Sequence, residues 1–260
     1  MFEYDFMIYA FVSGIIIAIL SSMSGAFIVL KRYSLLSETL AHSSLVGVAI
    51  GILLSINPSG TALVFALLSA WLIELIRLKY KIYSDAILSI FLSASLALAV
   101  IIVSLADSFN NSLFSYLFGS ILSVGTDELI VMSVFGVFAL VILLFIHKEL
   151  YFIAYDEELA RASGLNVSFY NFVLVSIVAI VIALSIQIVG SLLIGALMVI
   201  PTISSLRLKR GLYQTLFFSL VFSVFSVLLG ITLSFYLSIP SGASIVVVLV
   251  LIFVGTLFKR

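Results

Sequence analysis

Two side chains in the N-terminal third of the chain are placed to do chemistry that the rest of it is not. Glu38 and His42 stand four residues apart, the spacing that puts two side chains on one face of a helix, a turn apart. A carboxylate oxygen and a neutral imidazole nitrogen form a ligand set suited to Mn²⁺, Fe²⁺ or Zn²⁺. The stretch around them, Ser37-Glu38-Thr39-Leu40-Ala41-His42-Ser43-Ser44, is the most polar part of an otherwise apolar run. Two ligands are too few to hold a metal. Two copies of the chain meeting about a pore would supply two carboxylates and two imidazoles. The residues alone leave a second reading open, a structural pair in which Glu38 accepts a hydrogen bond from His42.

The elements that must position this pair follow from composition. Of 260 residues, 64% are hydrophobic and 9% charged, against about 45–50% and about 25% in a soluble chain. Twelve basic and twelve acidic residues give zero net charge, which excludes a basic nucleic-acid-binding face. The apolar content excludes disorder. The absence of Cys excludes a disulfide framework, a thiolate metal site and a thiol nucleophile. The chain therefore reads as one integral membrane domain. A helix needs about 20 mostly apolar residues to cross roughly 30 Å of hydrocarbon. Nine segments qualify, at about 7–30, 34–56, 60–76, 84–106, 128–147, 168–187, 190–206, 212–237 and 242–258. Only Gln187 to Gly190 separates the sixth from the seventh, so eight crossings, with one segment short or re-entrant, remain an alternative. The runs are long and do not alternate, unlike barrel strands. The fold class is an all-α integral membrane protein, a polytopic bundle of 8–9 transmembrane helices.

The basic residues orient it. All twelve fall in five places: Lys31 and Arg32; Arg77, Lys79 and Lys81; Lys148 and Arg161; Arg207, Lys209 and Arg210; Lys259 and Arg260. Each place follows an odd-numbered segment, so by the positive-inside rule the N-terminus is outside and the C-terminus cytoplasmic. The tyrosines agree, with Tyr33, Tyr80, Tyr83, Tyr155 and Tyr213 at inner ends and Tyr4, Tyr116 and Tyr236 at outer ones. Met1 to Phe6 has acids and no basic region, so no cleaved signal is expected. Eleven of the twelve acids fall in loops or at boundaries, leaving Glu38 within a span. At 1.5 Å per residue it stands about 9 Å above Arg32, with His42 about 15 Å above it. An ionisable group there costs at least about 2.5–3.5 kcal/mol and must face a partner or a wet cavity.

Two further stretches matter. Gly47-Val48-Ala49-Ile50-Gly51 is a small-residue face for close helix approach, read as packing within the chain rather than a dimer contact. The longest cytoplasmic loop, about 148–167, contains Asp156-Glu157-Glu158-Leu159-Ala160-Arg161-Ala162-Ser163-Gly164. Acids first, Arg161 late and Gly164 beyond the end match the rules for a short capped helix. Its composition fits either a solvated loop helix or a docking helix for a cytosolic partner. No GxxxxGK[ST] phosphate loop is present, so any ATP energy would have to come from another chain. No HExxH motif or Ser/His/Asp set marks a hydrolase.

Taken in order, several stretches resemble the membrane permeases of metal-ion ABC importers, the ABC-3 family that serves zinc, manganese and ferrous iron. They are Lys31-Arg32-Tyr33-Ser34-Leu35-Leu36-Ser37-Glu38-Thr39-Leu40-Ala41-His42 with Gly47 to Gly51; Leu117-Phe118-Gly119-Ser120-Ile121-Leu122; Tyr155 to Gly164; Val189 to Pro201; and Pro240-Ser241-Gly242-Ala243-Ser244-Ile245-Val246. The resemblance implies a single transmembrane permease domain over 1–260, multi-pass in the plasma or inner membrane. It implies a cytoplasmic coupling helix at about 155–164. Its partners would be a second permease copy in a homodimer, cytosolic ABC ATPase subunits and an extracytoplasmic metal-binding protein. It would hold no permanent cofactor, only a transported divalent metal ion, and would not itself be an enzyme. The family's Asp-xxx-His pair maps onto Glu38 and His42, and its ATPase-coupling helix onto Asp156, Glu157, Glu158, Ala160 and Gly164. Glu38 replaces the usual aspartate, moving the carboxylate out by one methylene, and Val46 stands where a proline is frequent. The alternatives are a permease for a chelated metal or cobalamin, and a secondary transporter without an ATPase.

Overall fold

The computed structural model describes residues 5–80, 82–105, 111–120, 125–208 and 211–258. Lys81, Lys209, Arg210, Lys259, Arg260, Glu3, Asp107, Tyr4, Ile121 and Leu122 lie outside the described residues. Among the described residues the regular elements are helices: α1 (Asp5–Leu30), α2 (Leu35–Leu53), α3 (Pro58–Tyr80), α4 (Ser84–Leu105), α5 (Asn111–Phe118), α6 (Thr126–Tyr155), α7 (Glu157–Ala162), α8 (Val167–Val189), α9 (Ile194–Leu206), α10 (Leu212–Leu237) and α11 (Ser241–Leu257).

Each of the nine apolar segments holds one helix. Seven of these, α1, α2, α3, α4, α6, α8 and α10, are long and apolar enough to cross a membrane. The 13 residues of α9 and the 17 of α11 rise about 20 Å and about 26 Å, less than the roughly 30 Å hydrocarbon layer. Two boundaries differ from expectation. α3 continues past residue 76 to Tyr80, which takes Arg77 and Lys79 into the helix, and α6 continues through His147 and Lys148 to Tyr155. In both cases backbone hydrogen bonding outlasts the apolar run.

The bundle centres on α2 and α8, while α4 and α6 turn apolar faces outward, with Ile90, Val100, Val134, Phe138 and Phe145 exposed. α2 is enclosed by α3, α4, α5, α8 and α9, and α1 by α6, α8, α9 and α10. The Gly47–Gly51 face is spent inside the chain. A Cβ on Gly47 would stand 2.5 Å from the Thr61 carbonyl oxygen of α3, and one on Gly51 2.7 Å from Pro58 Cα. α2 runs unbroken through Val46. Hydroxyls join helices elsewhere: Ser43 to Ser95 at 2.9 Å, Thr202 to Ser219 at 3.1 Å, and Ser223 to the Ala18 carbonyl at 3.0 Å. In a solvent as apolar as the side chains, such polar contacts and close packing hold helices together.

The break between the sixth and seventh segments is real and has a cause. Gly190 ends α8 at φ 87°, a conformation that costs glycine least. A Cβ there would meet the Leu117 carbonyl at 2.4 Å. α5, which lies between the fourth and fifth apolar segments, is the element responsible. Ser191 N–H donates to Tyr116 O at 2.8 Å and Ser120 N–H to Gln187 O at 2.9 Å. Tyr116 and Leu117 pack among Leu45, Val46, Val48, Ala62 and Ala99. The turn before α9 thus buries Gly190 and Ser191, leaves Leu192 exposed and has its amides satisfied, as irregular backbone within a membrane bundle requires.

Candidate functional site

α1 ends at Lys31 and Arg32, the latter at φ 60°, and Tyr33 N–H returns to Ile28 O at 2.8 Å. This tight reversal starts α2 at Leu35. α2 is the most enclosed of the long helices, 78% of its spanning window being buried. What exposure it has follows one broad stripe: Leu35, Glu38, His42, Leu45 with Val46, Ala49 with Ile50, and Ile52 with Leu53. Those positions recur at helical spacing along a single face. Leu35, Glu38 and Leu53 are exposed, Ile50 and Ile52 half-buried, and His42, Leu45, Val46 and Ala49 only slightly exposed, with His42 at 5%. Ser37, Thr39, Leu40 and Ala41 on the other faces are fully buried.

The structure therefore brings Glu38 and His42 onto one open stripe, as their spacing predicts. It does not form the structural pair. His42 Nδ1 is buried without a hydrogen-bond partner, and no hydrogen bond joins it to Glu38 among the described residues. The wall opposite is α9: a Cβ on Gly195 would stand 3.6 Å from Glu38 Cβ and 3.5 Å from Ser37 Oγ. Gly195 is eleven residues from the end of α9 at Leu206, about 16 Å along its axis. Glu38 thus stands in the first turn of α2 with its Cβ against α9 and its side chain exposed. No group of three or more His, Cys, Asp or Glu side chains is assembled among the described residues. One chain presents one carboxylate and one imidazole, a donor set of oxygen and nitrogen that fits a first-row divalent cation.

The second predicted group is built as its sequence requires. Asp156 Oδ1 accepts from Glu158 N–H at 3.0 Å and Leu159 N–H at 2.9 Å, capping α7. Ala160 is fully buried beside Ile153 and Val167. Gly164 ends the helix at φ 90°, its N–H donating to Arg161 O at 3.0 Å. Glu158, Leu159, Ala162 and Ser163 form the exposed face. Glu157 turns inward instead, 2.8 Å from Arg161 and 3.6 Å from Arg77 of α3.

That contact leads to residues the sequence reading did not select. Glu74, placed there at the inner boundary, is 0% exposed and receives two hydrogen bonds from Arg77, at 3.0 Å and 2.5 Å. The Arg77 guanidinium stands 5.6 Å from the Tyr33 ring centre and Lys31 Nζ 5.5 Å, within cation–π range. Lys31 also donates to Asn171 Oδ1 of α8, and Ser84, opening α4, to the Tyr33 hydroxyl at 3.1 Å. Burial drives the Lys31 amine down to about 8, opposed by Glu74 and Glu157 and reinforced by Arg77. Burial alone would raise the Glu157 carboxyl, but Arg77, Arg161 and Lys31 hold it below its ordinary value. The signal that would have found this cluster is the Glu74–Arg77 spacing of three, which pairs charges on a helix face.

Known proteins share this architecture. A family model described as the ABC 3 transport family matches residues 3–260. A probable metal transport system membrane protein of Treponema pallidum is 38% identical over 242 residues, covering 93% of this chain and 91% of its own. The high-affinity zinc uptake system membrane protein ZnuB of Haemophilus influenzae is 30% identical over 251 residues, covering 96% of each. The structure of PsaBC from Streptococcus pneumoniae in complex with Fab superposes with a TM-score of 0.87 at 30% identity, covering 98% of this chain and 92% of that one.

Proposed function

The chain belongs to the ABC 3 transport family, and from that premise we propose that it is the permease subunit of an ATP-driven importer of a divalent transition metal. The observation that carries the reading is Glu38, an exposed carboxylate on the most enclosed long helix, one turn from a His42 whose Nδ1 is buried without a hydrogen-bond partner. A metal ion is what that pair lacks. Relatives named for zinc and manganese transport point to Zn²⁺ or Mn²⁺ as cargo, and the donor set also suits Fe²⁺. A bare ion suits it better than a chelate, whose ligands would already be filled.

A second copy facing the first would close the set with two carboxylates and two imidazoles. The ion would pass along the Leu35–Leu53 stripe, held by Glu38 and His42 weakly enough to leave. We place the N-terminus outside and the C-terminus in the cytoplasm, in the plasma or inner membrane. In that topology α9 starts from the buried Gly190 turn within the bilayer and descends to the inner face, so its 13 residues suffice. The whole chain then acts as one permease domain. α7, with Asp156 and Gly164 as its caps, is the coupling helix. Its exposed face meets a cytosolic ATPase subunit, which supplies the hydrolysis, while a binding protein delivers metal outside.

The test is uptake of Mn²⁺ and Zn²⁺ into vesicles containing the permease with its ATPase subunit. Glu38→Gln and His42→Ala each remove one donor and should lower uptake at least about tenfold, since even outer-shell changes at metal sites cost about 10–100-fold. Undiminished uptake in both variants would overturn the site. Full uptake with no ATPase subunit present would favour a secondary transporter.

A further inference from the structure

We propose that Arg77 is the link that passes movement of α7 to the metal-bearing helix α2, by holding Glu157 and the Tyr33 ring at once. This rests on the reading of α7 as the ATPase-docking helix and adds how the docked helix reaches the site. Arg77 has five N–H donors in a rigid plane. Nε and Nη2 are committed to Glu74, Nη1 points to Glu157 Oε2 at 3.6 Å, and the plane stands over Tyr33. Glu74 is 0% exposed, so its charge anchors Arg77; separating a buried pair is strongly unfavourable. Glu157 is braced in turn by Arg161 within α7. A displacement of α7 is therefore resisted at Arg77 and is not absorbed by a swinging side chain.

Tyr33 is the outlet. It sits in the turn between α1 and α2, pinned by its own N–H to Ile28, by its carbonyl to Leu36 N–H at 2.9 Å and by Ser84 at its hydroxyl. α2 begins two residues later, and Glu38 is in its first turn. Tyr33 and Glu38 thus move as parts of one stiff element, while Lys31 to Asn171 ties the same turn to α8. The route from the α7 surface to the metal carboxylate runs through Glu157, Arg77, Tyr33 and one turn of helix. Packed elements of this kind shift between discrete arrangements more readily than they deform. An ion pair serving stability alone would need only Glu74 and Arg77.

The experiment measures metal carried per ATP hydrolysed, with Mn²⁺ as probe, by the purified permease–ATPase complex in vesicles. Arg77→Lys keeps a cation beside Glu74, but a single ammonium cannot also span to Glu157 and stack on the ring. We expect the ratio to fall at least about fivefold, the lower end of typical coupling between sites, with the ATPase still bound. Tyr33→Leu, remote from α7 and independent of the Glu74 anchor, should lower the ratio likewise. Tyr33→Phe, which keeps the ring and loses the Ser84 bond, should retain it. A structural role would reduce yield, hydrolysis and transport together and leave the ratio alone; that result in Arg77→Lys and Tyr33→Leu overturns the link. Leu159→Asp, on the exposed face of α7, separates the two ideas. If it leaves the ATPase bound and coupled, the docking reading falls and the link with it. If it sheds the ATPase while Arg77→Lys couples normally, only the link falls.

Discussion

Replacing Arg77 with Gln should be among the most damaging single changes in the chain, and replacing Glu74 with Gln in the same molecule should largely undo the damage. Both Glu74 oxygens depend on Arg77, and the carboxylate is wholly buried. Taking away the guanidinium leaves an uncompensated charge in the bundle, at about 3–5 kcal/mol. Taking away both charges leaves two amides able to bond one another, with a net cost on the order of 1 kcal/mol. Adding Glu74→Gln to Arg77→Gln should then recover roughly 2–4 kcal/mol, and the Glu74→Gln single variant completes the cycle. For a chain of this size each kcal/mol moves the melting temperature by roughly 2–4 °C, so Arg77→Gln should melt well below wild type and the double variant close to it. Trp71 is the one tryptophan in the sequence. It lies a turn before Glu74 on α3, its indole N–H donating to Ser176 of α8 at 2.9 Å, so its fluorescence in mild detergent follows separation of α3 from α8. The double-mutant cycle is read from those melts. If the double variant is as unstable as Arg77→Gln, the positions are not coupled and the buried-charge argument is wrong.

Two further outcomes follow from the packing and the charges. Gly47→Ala would put a methyl group against the Thr61 carbonyl at 2.5 Å and Ala62 Cα at 2.8 Å. Backbone on both counts must withdraw, at about 1–3 kcal/mol, whereas Gly255→Ala has nothing within 4 Å and should gain up to about 1 kcal/mol of helix propensity. Equal melting temperatures for the two variants would show that α2 and α3 are not in close contact there. Lys31 supplies a pH dependence. Its folded value of about 8 lies below the ordinary 10.5, so the unfolded chain binds the extra proton between those limits. Stability should accordingly be lowest below pH 8 and rise from pH 8 to 10.5. Melts at pH 7 and 9.5 should show the rise in wild type and lose it in Lys31→Met; an undiminished rise in that variant assigns it to another group.

Hydropathy revealed the spans because lipid imposes one rule on every residue facing it. It revealed Glu38 because a lone acid in such a run stands out once the others are assigned to loops. The α7 caps were legible for a different reason, since Asp156 and Gly164 act on backbone within their own turn and need no distant partner. What stayed hidden depends on partners. α5 reads as a polar loop, yet Tyr116 and Leu117 are half-buried against α2 and α8, and its carbonyls take up the amides of the Gly190 turn. The 190–206 segment is apolar enough for 17 residues, but that turn consumes four, leaving 13 helical ones. Glu74 was assigned to a boundary because the apolar run ends near it. Whether a charge at a boundary is solvated or buried is decided by its neighbours, here Arg77.

Two of the carboxylates on long helices, Glu38 and Glu74, make opposite demands, and the contrast bears on assembly. Glu74 is buried and fully matched within the chain. Glu38 is exposed, with the His42 imidazole one turn away and no hydrogen bond or salt bridge to it among the described residues. Membranes penalise that state by about 2.5–3.5 kcal/mol or more, so a sequence that keeps it must recover the cost elsewhere. Within one chain nothing does. Between two copies, a bound divalent ion with two carboxylates and two imidazoles cancels the charge and fills the donors. The ion then does more than pass through: it would lower the cost of apposing the two α2 stripes. Mn²⁺ or Zn²⁺ should accordingly raise the melting temperature of the intact permease pair and leave Glu38→Gln unshifted. Binding to the folded form alone stabilises it by about 2.7 kcal/mol at a metal concentration of about 100 Kd. An equal shift in both proteins would place the bound ion somewhere other than Glu38.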